Sequence, residues 1–199
     1  MNKTIRTILC LTLCGVMLLG LCACGEEPVS TESTLSPENY HPEDSYTVNK
    51  NGEGDYDYKV LDYAGNTIFF REHETFAPEF ATLTESVLQV AAPMSNNPSM
   101  RWAVFCDVRS QKVSDVYGNF LGAKGGYVAQ LEHLTNQYHV MVREIFGTAP
   151  VPYKVVTLEG LEINKHSQLY EKVEINEDGN LEITYETKKG KKTTVVEMP

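Results

Sequence analysis

Residues 58–199 predict a mostly β domain. Its antiparallel sheets are expected to pack as a sandwich or as open blade-like meanders, with little helix beyond the first two dozen residues. Three observations carry this. From Tyr58 the apolar period changes to two. Turn residues recur about every eight to twelve positions, the spacing of packed antiparallel sheets. The last thirty residues hold the cleanest alternation in the chain. A propeller-like reading competes, with blades of about 40–45 residues. Only about three would fit, fewer than the 4–8 of a closed ring.

The elements follow in order. Lys59–Asp62 and Thr67–Glu72 flank Tyr63-Ala64-Gly65-Asn66, a hairpin whose glycine is available for positive φ. Alternation puts Ile68 and Phe70 on one face, and Phe69 on the other with Thr67 and Arg71. Residues 78–92 fit two patterns. Phe80, Leu83, Val87 and Leu88 can share a helix face, or Phe80–Leu83 and Val87–Ala91 can be short strands around Thr84-Glu85-Ser86. The β-branched ends of Val87–Val90 favour strands. Pro93–Pro98 reads as a loop.

Met100–Val108 is the strongest strand, with Met100, Trp102, Val104, Cys106 and Val108 on one face. Trp102, the only tryptophan, reads as a core anchor rather than a ligand platform. Lys112–Tyr117 suggests another strand, and Gly118–Gly126 a glycine-rich connecting loop. Lys124 is followed by Gly125, so the loop lacks the hydroxyl residue a phosphate-binding loop needs.

Residues 127–145 again allow helix or hairpin. Thr135-Asn136-Gln137 and the tyrosine and β-branched flanks favour a hairpin. Apolar matching then sets Leu131 opposite Val140 and Glu132 opposite His139, and His133 points to the other side. The two histidines therefore do not converge, and no metal set is expected, because zinc needs at least three protein ligands. Gly147–Pro152 is a turn, Tyr153–Leu158 a strand, and Glu159–Ser167 a loop.

Leu169–Ile175, Leu181–Thr187 and Thr193–Met198 close the chain as a meander. Val173, Ile175, Leu181, Ile183 and Tyr185 share a face across a turn at Glu177-Asp178-Gly179. A turn at Lys189-Gly190 would set Ile183 against Val196 and Leu181 against Met198. Lys188, Lys189, Lys191 and Lys192 crowd that turn and read as a solvated tip that discourages edge pairing.

The N-terminus follows a different logic. Lys3 and Arg6 precede an apolar run from Ile8 to Gly20, with no acid before Glu26. Leu21-Cys22-Ala23-Cys24 comes next, and Gly25-Glu26-Glu27-Pro28 ends the run. A basic end, an apolar stretch and small residues make a secretory signal, shorter than the ~20 apolar residues of a spanning helix. At these residues the chain resembles the bacterial lipoproteins. The resemblance covers the first two dozen positions and implies cleavage of residues 1–23 and a diacylglyceryl group on the Cys24 sulfur. Two acyl chains, at about 0.8 kcal/mol per buried CH₂, give stable attachment. The implied location is the cell membrane, lipid-anchored and facing away from the cytoplasm, with the membrane as partner through Cys24.

Loss of Lys3 and Arg6 leaves fifteen basic against twenty-seven acidic residues, a net charge of −12. That argues against nucleic acid, whose binding rests on neutralising phosphates. Residues 24–57 hold nine acids and one base among Ser, Thr, Pro, Asn and Gly, so they are expected to form a disordered acidic tether spanning about 30 Å. Once Cys10, Cys14 and Cys22 leave with the signal and Cys24 carries lipid, Cys106 is left alone. Its apolar strand face marks it as a small buried hydrophobe.

No catalytic motif emerges. The chain has no Gly-x-Ser-x-Gly elbow, no His-Glu-x-x-His, and only an unsupported Ser114-Asp115. No catalytic residue and no cofactor is assigned. The expectation is a non-enzymatic lipoprotein presenting a β-rich domain to an unknown protein or small-molecule ligand. The rivals are an extracellular hydrolase of cell-wall material and a protective lipoprotein that blocks another protein.

Overall fold

The computed structural model describes residues 42–52, 54–149, 151–161 and 169–199. Cys24 and the signal sequence lie outside them. After a 3-10 turn at Pro42–Ser45, the strands form four antiparallel sheets in chain order. The first holds β1 (Tyr46–Lys50), β2 (Tyr56–Leu61) and β3 (Thr67–Glu74). The second holds β4 (Glu79–Thr82), β5 (Val87–Met94), β6 (Asn97–Asp107) and β7 (Lys112–Val113), with β8 (Tyr117–Gly118) also paired to β6. The third runs β9 (Phe120–Lys124), β10 (Tyr127–Leu134), β11 (Gln137–Glu144) and β12 (Lys154–Thr157). The fourth is β13 (Lys172–Ile175), β14 (Leu181–Thr187) and β15 (Gly190–Val196).

Three apolar layers join these meanders face to face. Tyr58 and Val60 of the first sheet meet Leu88, Val90, Trp102, Val104 and Cys106 of the second. Ala91, Ala103 and Phe105, on the second sheet's other face, meet Phe120 and Val128 of the third. Ala129, Leu131, Val140 and Val142 then meet Leu181, Ile183 and Tyr185 of the fourth. The run Trp102–Cys106 is therefore buried on both faces, which is why it reads as continuous apolar sequence rather than strict alternation. The result is a row of blade-like meanders, not one sheet pair. The outer faces of the end sheets are largely polar: Thr47, Lys59 and Glu72 at one end, Lys172, Thr184 and Glu182 at the other. Stacked arrays are finished this way, with polar end units.

Both ambiguous stretches are strands: 78–92 contains β4 and β5, and 127–145 contains β10 and β11. The expected register of the latter hairpin holds, with Leu131 opposite Val140 and Glu132 opposite His139. Thr135 (φ 49°) and Asn136 (φ 61°) form its two-residue turn; positive φ at both central positions suits the twist of a tight hairpin. Gly65 and Gly179 also take the positive φ expected of them, 81° and 76°.

Several expectations are corrected. The tether does not extend to residue 57, because β1 and the start of β2 lie within it. Its sparse apolar residues are spaced to reach the core: Tyr46 stacks on Phe80 with centroids 3.8 Å apart, and Tyr56 packs against the same layer. Gly118–Gly126 is not a loop but holds β9, whose Phe120 and Leu121 are buried on opposite faces. Ile68 does not share a face with Phe70. The pairing shifts between Val60 and Leu61, so Ile68 and Phe69 both reach the first core layer while Phe70 is exposed. The last hairpin turns at Lys188-Lys189, so Leu181 opposes Val196 and Ile183 opposes Thr194, two residues from the expected register. There the Thr187 hydroxyl accepts the Lys189 N–H and donates to the Gly190 carbonyl, and Gly190 takes φ 108°. Leu169 and Tyr170 lie outside β13, which begins at Lys172.

Candidate binding cleft

The second sheet's outer strands β7 and β8 are only two residues each, and beyond Val128 the facing side of the third sheet carries half-buried polar side chains. Register builds three side-chain rows on that face: Val128 with Arg143, Gln130 with Met141 and Val155, and Glu132 with His139 and Thr157. The Glu132 carboxylate accepts from Arg143 Nη2 at 3.2 Å and from the Gln130 amide through the same oxygen. His139 Nδ1 lies 3.1 Å from Thr157 Oγ1. The Arg143–Glu132 pair is about one-quarter exposed on each side, so it is held in place yet reachable.

A cleft of about 610 Å³ opens beside this network, within the ~300–1,000 Å³ of small-ligand sites. Gln130 and Arg143 line one wall, Asp115 and Val116 another, and Val151 and Tyr153 the rim. Tyr117 anchors its base: its hydroxyl donates to the Ile145 carbonyl at 2.7 Å, and burial raises its pKa. Val116, Val151 and Tyr153 are 53, 74 and 62 % exposed, an unusual grouping of large apolar side chains left to water. The Tyr153 ring rests against Tyr127, centroids 5.3 Å apart, which fixes its orientation.

The other candidate residues fall elsewhere. His133 and His139 lie on opposite faces of the β10–β11 hairpin, as alternation requires. Among the described residues no three His, Cys, Asp or Glu side chains are grouped to hold a metal. Cys106 is fully buried, and burial pushes its thiol up to about 12. The Ser114 hydroxyl accepts the Phe105 N–H and donates to the Asp115 carbonyl, so it is engaged in holding β7 against β6. At the lysine-rich tip, Lys191 pairs with Glu171 at 2.8 Å and Lys192 with Glu159 at 3.4 Å. A hollow of about 810 Å³ lies there, but those pairs satisfy much of its positive charge.

Gln130, Arg143, Val116, Val151, Tyr153 and Val155 belong to no motif that marks them in the sequence. One signal was present. Val155 and Val156 are adjacent, so β12 must turn one of two β-branched apolar residues away from the fourth sheet. Comparison with protein-family models, with curated proteins and with solved structures finds no match for this chain.

Proposed function

We propose that this chain is a lipid-anchored extracytoplasmic lipoprotein whose four-sheet domain holds a ligand in the cleft between its second and third sheets without transforming it. The anchor rests on Leu21-Cys22-Ala23-Cys24 after a basic and apolar start. The binding role is carried by one observation: exposed Val116, Val151 and Tyr153 surround a cleft whose wall holds the prearranged Arg143–Glu132–Gln130 network. Apolar contact area with a few fixed polar groups is the make-up of a recognition site. Binding rather than turnover is favoured because no nucleophile–base pair borders the cleft among the described residues.

Two measurements test this. Intact mass of the membrane fraction should give a chain beginning at Cys24 with acyl mass, and Cys24→Ser should lose both. A benzophenone amino acid at position 153, activated in intact cells, should give a discrete adduct that the same probe at position 70 does not. Phe70 is 63 % exposed, so it matches Tyr153 in exposure but lies on the first sheet's outer face. Equal adducts at both positions, or none at 153, would remove the cleft from the account.

A further inference from the structure

Strand β12 ends the third sheet, and no strand among the described residues pairs with its far side. Its register with β11 decides which backbone groups are free. The Leu158 N–H donates to the Tyr138 carbonyl at 2.9 Å, one step beyond the Thr157–His139 pair. Antiparallel alternation then turns the N–H and C=O of Val156 toward β11, and those of Val155 and Thr157 outward. An unpaired row of this kind is a template for another strand.

Natural edges are usually defended by charge. β13 carries Lys172 and Glu174, and β15 carries Lys191 and Lys192, whereas β4, β9 and β12 carry one charge each. In β12 the only charge is Lys154, and Glu197 engages it at 2.6 Å. Val155 is half exposed and lies two residues along the chain from Tyr153. At the cleft's other end stand two carboxylates, Asp115 and Glu144, neither in an ion pair among the described residues. Arg143, the lining cation, is already matched by Glu132. The outward backbone groups of β12 thus begin two residues along the chain from Tyr153, which lines the cleft together with these acids.

We infer that β12 is a strand-addition site for an extended peptide with apolar residues at alternate positions and a lysine or arginine at one end. The peptide backbone pairs with Val155 and Thr157. Its alternate side chains lie over Val155 and Tyr153, and its cation reaches Asp115 and Glu144. Main-chain pairing supplies affinity and the alternate side chains supply selectivity. This rests on the reading of the cleft as the binding site and names its ligand class.

The test uses short random peptides displayed on phage and selected on the full lipidated chain in detergent. Enriched sequences should show apolar alternation with a terminal basic residue. Val155→Pro is the diagnostic change. It removes an outward N–H, which proline tolerates at an edge, and leaves the bonds to β11 intact. Binding of an enriched synthetic peptide should fall about tenfold or more in Val155→Pro and stay within about threefold in Val155→Thr, which keeps the N–H. Asp115→Asn should weaken it about two- to fivefold, with reduced salt dependence. Thermal unfolding of Val155→Pro checks that the fold persists. If it does not, a peptide analogue N-methylated at the pairing amide replaces it and should lose binding equally.

Equal binding by the proline and threonine variants, with loss in Tyr153→Ala, would overturn strand addition and leave the cleft standing. Indifference to Tyr153→Ala as well would overturn both. Absence of peptide enrichment, with chitotetraose binding instead, would also overturn the peptide assignment while keeping the cleft.

Discussion

Leu181 of the fourth sheet fills the space that Gly122 of the third leaves empty. A β-carbon at Gly122 would stand 3.1 Å from Leu181 Cδ1 and 3.3 Å from Ile175 Cδ1. The glycine sits in β9 with an ordinary backbone, so close approach of two sheets, not turn geometry, calls for it here.

Gly122→Val should therefore destabilise the domain by about 1–3 kcal/mol through overpacking. Urea unfolding should show a lower midpoint at unchanged slope, since the surface exposed on unfolding is the same. A midpoint equal to wild type would mean that the fourth sheet shifts freely against the third.

Asp62 organises the β2–β3 turn. Its burial works against ionisation, but hydrogen bonds from the Asn66 side chain, the Asn66 and Ala64 N–H groups and the Gln111 amide outweigh that and hold the carboxyl below its usual range. A depressed folded pKa stabilises the protein above the unfolded value of about 3.9 and is lost as pH falls through the folded one. Asp62→Asn should cost about 1–3 kcal/mol at neutral pH, with the gap to wild type narrowing in acid. Denaturation series at pH 7 and pH 3 decide it; a constant gap would contradict the linkage.

Tyr58 buries a hydroxyl that has no hydrogen-bond partner among the described residues. Burial, reinforced by nearby Glu74 and opposed by Arg71, raises its pKa well above the ordinary tyrosine value. Tyr58→Phe removes that polar atom and keeps the ring against Phe69 and Phe80. The variant should be neutral or up to about 1 kcal/mol more stable. A loss of stability in thermal unfolding would show that the hydroxyl has a bound partner, such as water.

Cys106 should be unreactive in the folded state. Its thiol is fully buried and, at about 12, stays protonated across physiological pH. A thiol-specific reagent at pH 8 should label it only after denaturant is added. Labelling at the rate of an exposed thiol in the native chain would place it outside the core.

Strand existence and local register were largely readable from residues near one another in the chain. Glu132 opposite His139 followed from matching Leu131 to Val140, and the Val173–Leu181 face followed from alternation across a glycine turn. Failures arose where an irregularity broke the period. A pairing shift placed Ile68 and Phe69 on the same core, and a threonine-capped turn moved the β14–β15 register by two. β9 escapes a local reading because Gly122 resembles a turn signal while serving a close sheet contact.

Period-two alternation and turn chemistry are properties of neighbouring residues, so the β class, most strands and the divergence of His133 from His139 were determined by the sequence itself. Which face of each sheet meets which neighbour depends on residues far apart in the chain, and only the tertiary structure decided it. The double burial of Trp102–Cys106, the four-sheet row and the cleft beside Tyr153 follow from which sheet faces pack together. Local sequence carries no record of that choice of neighbour.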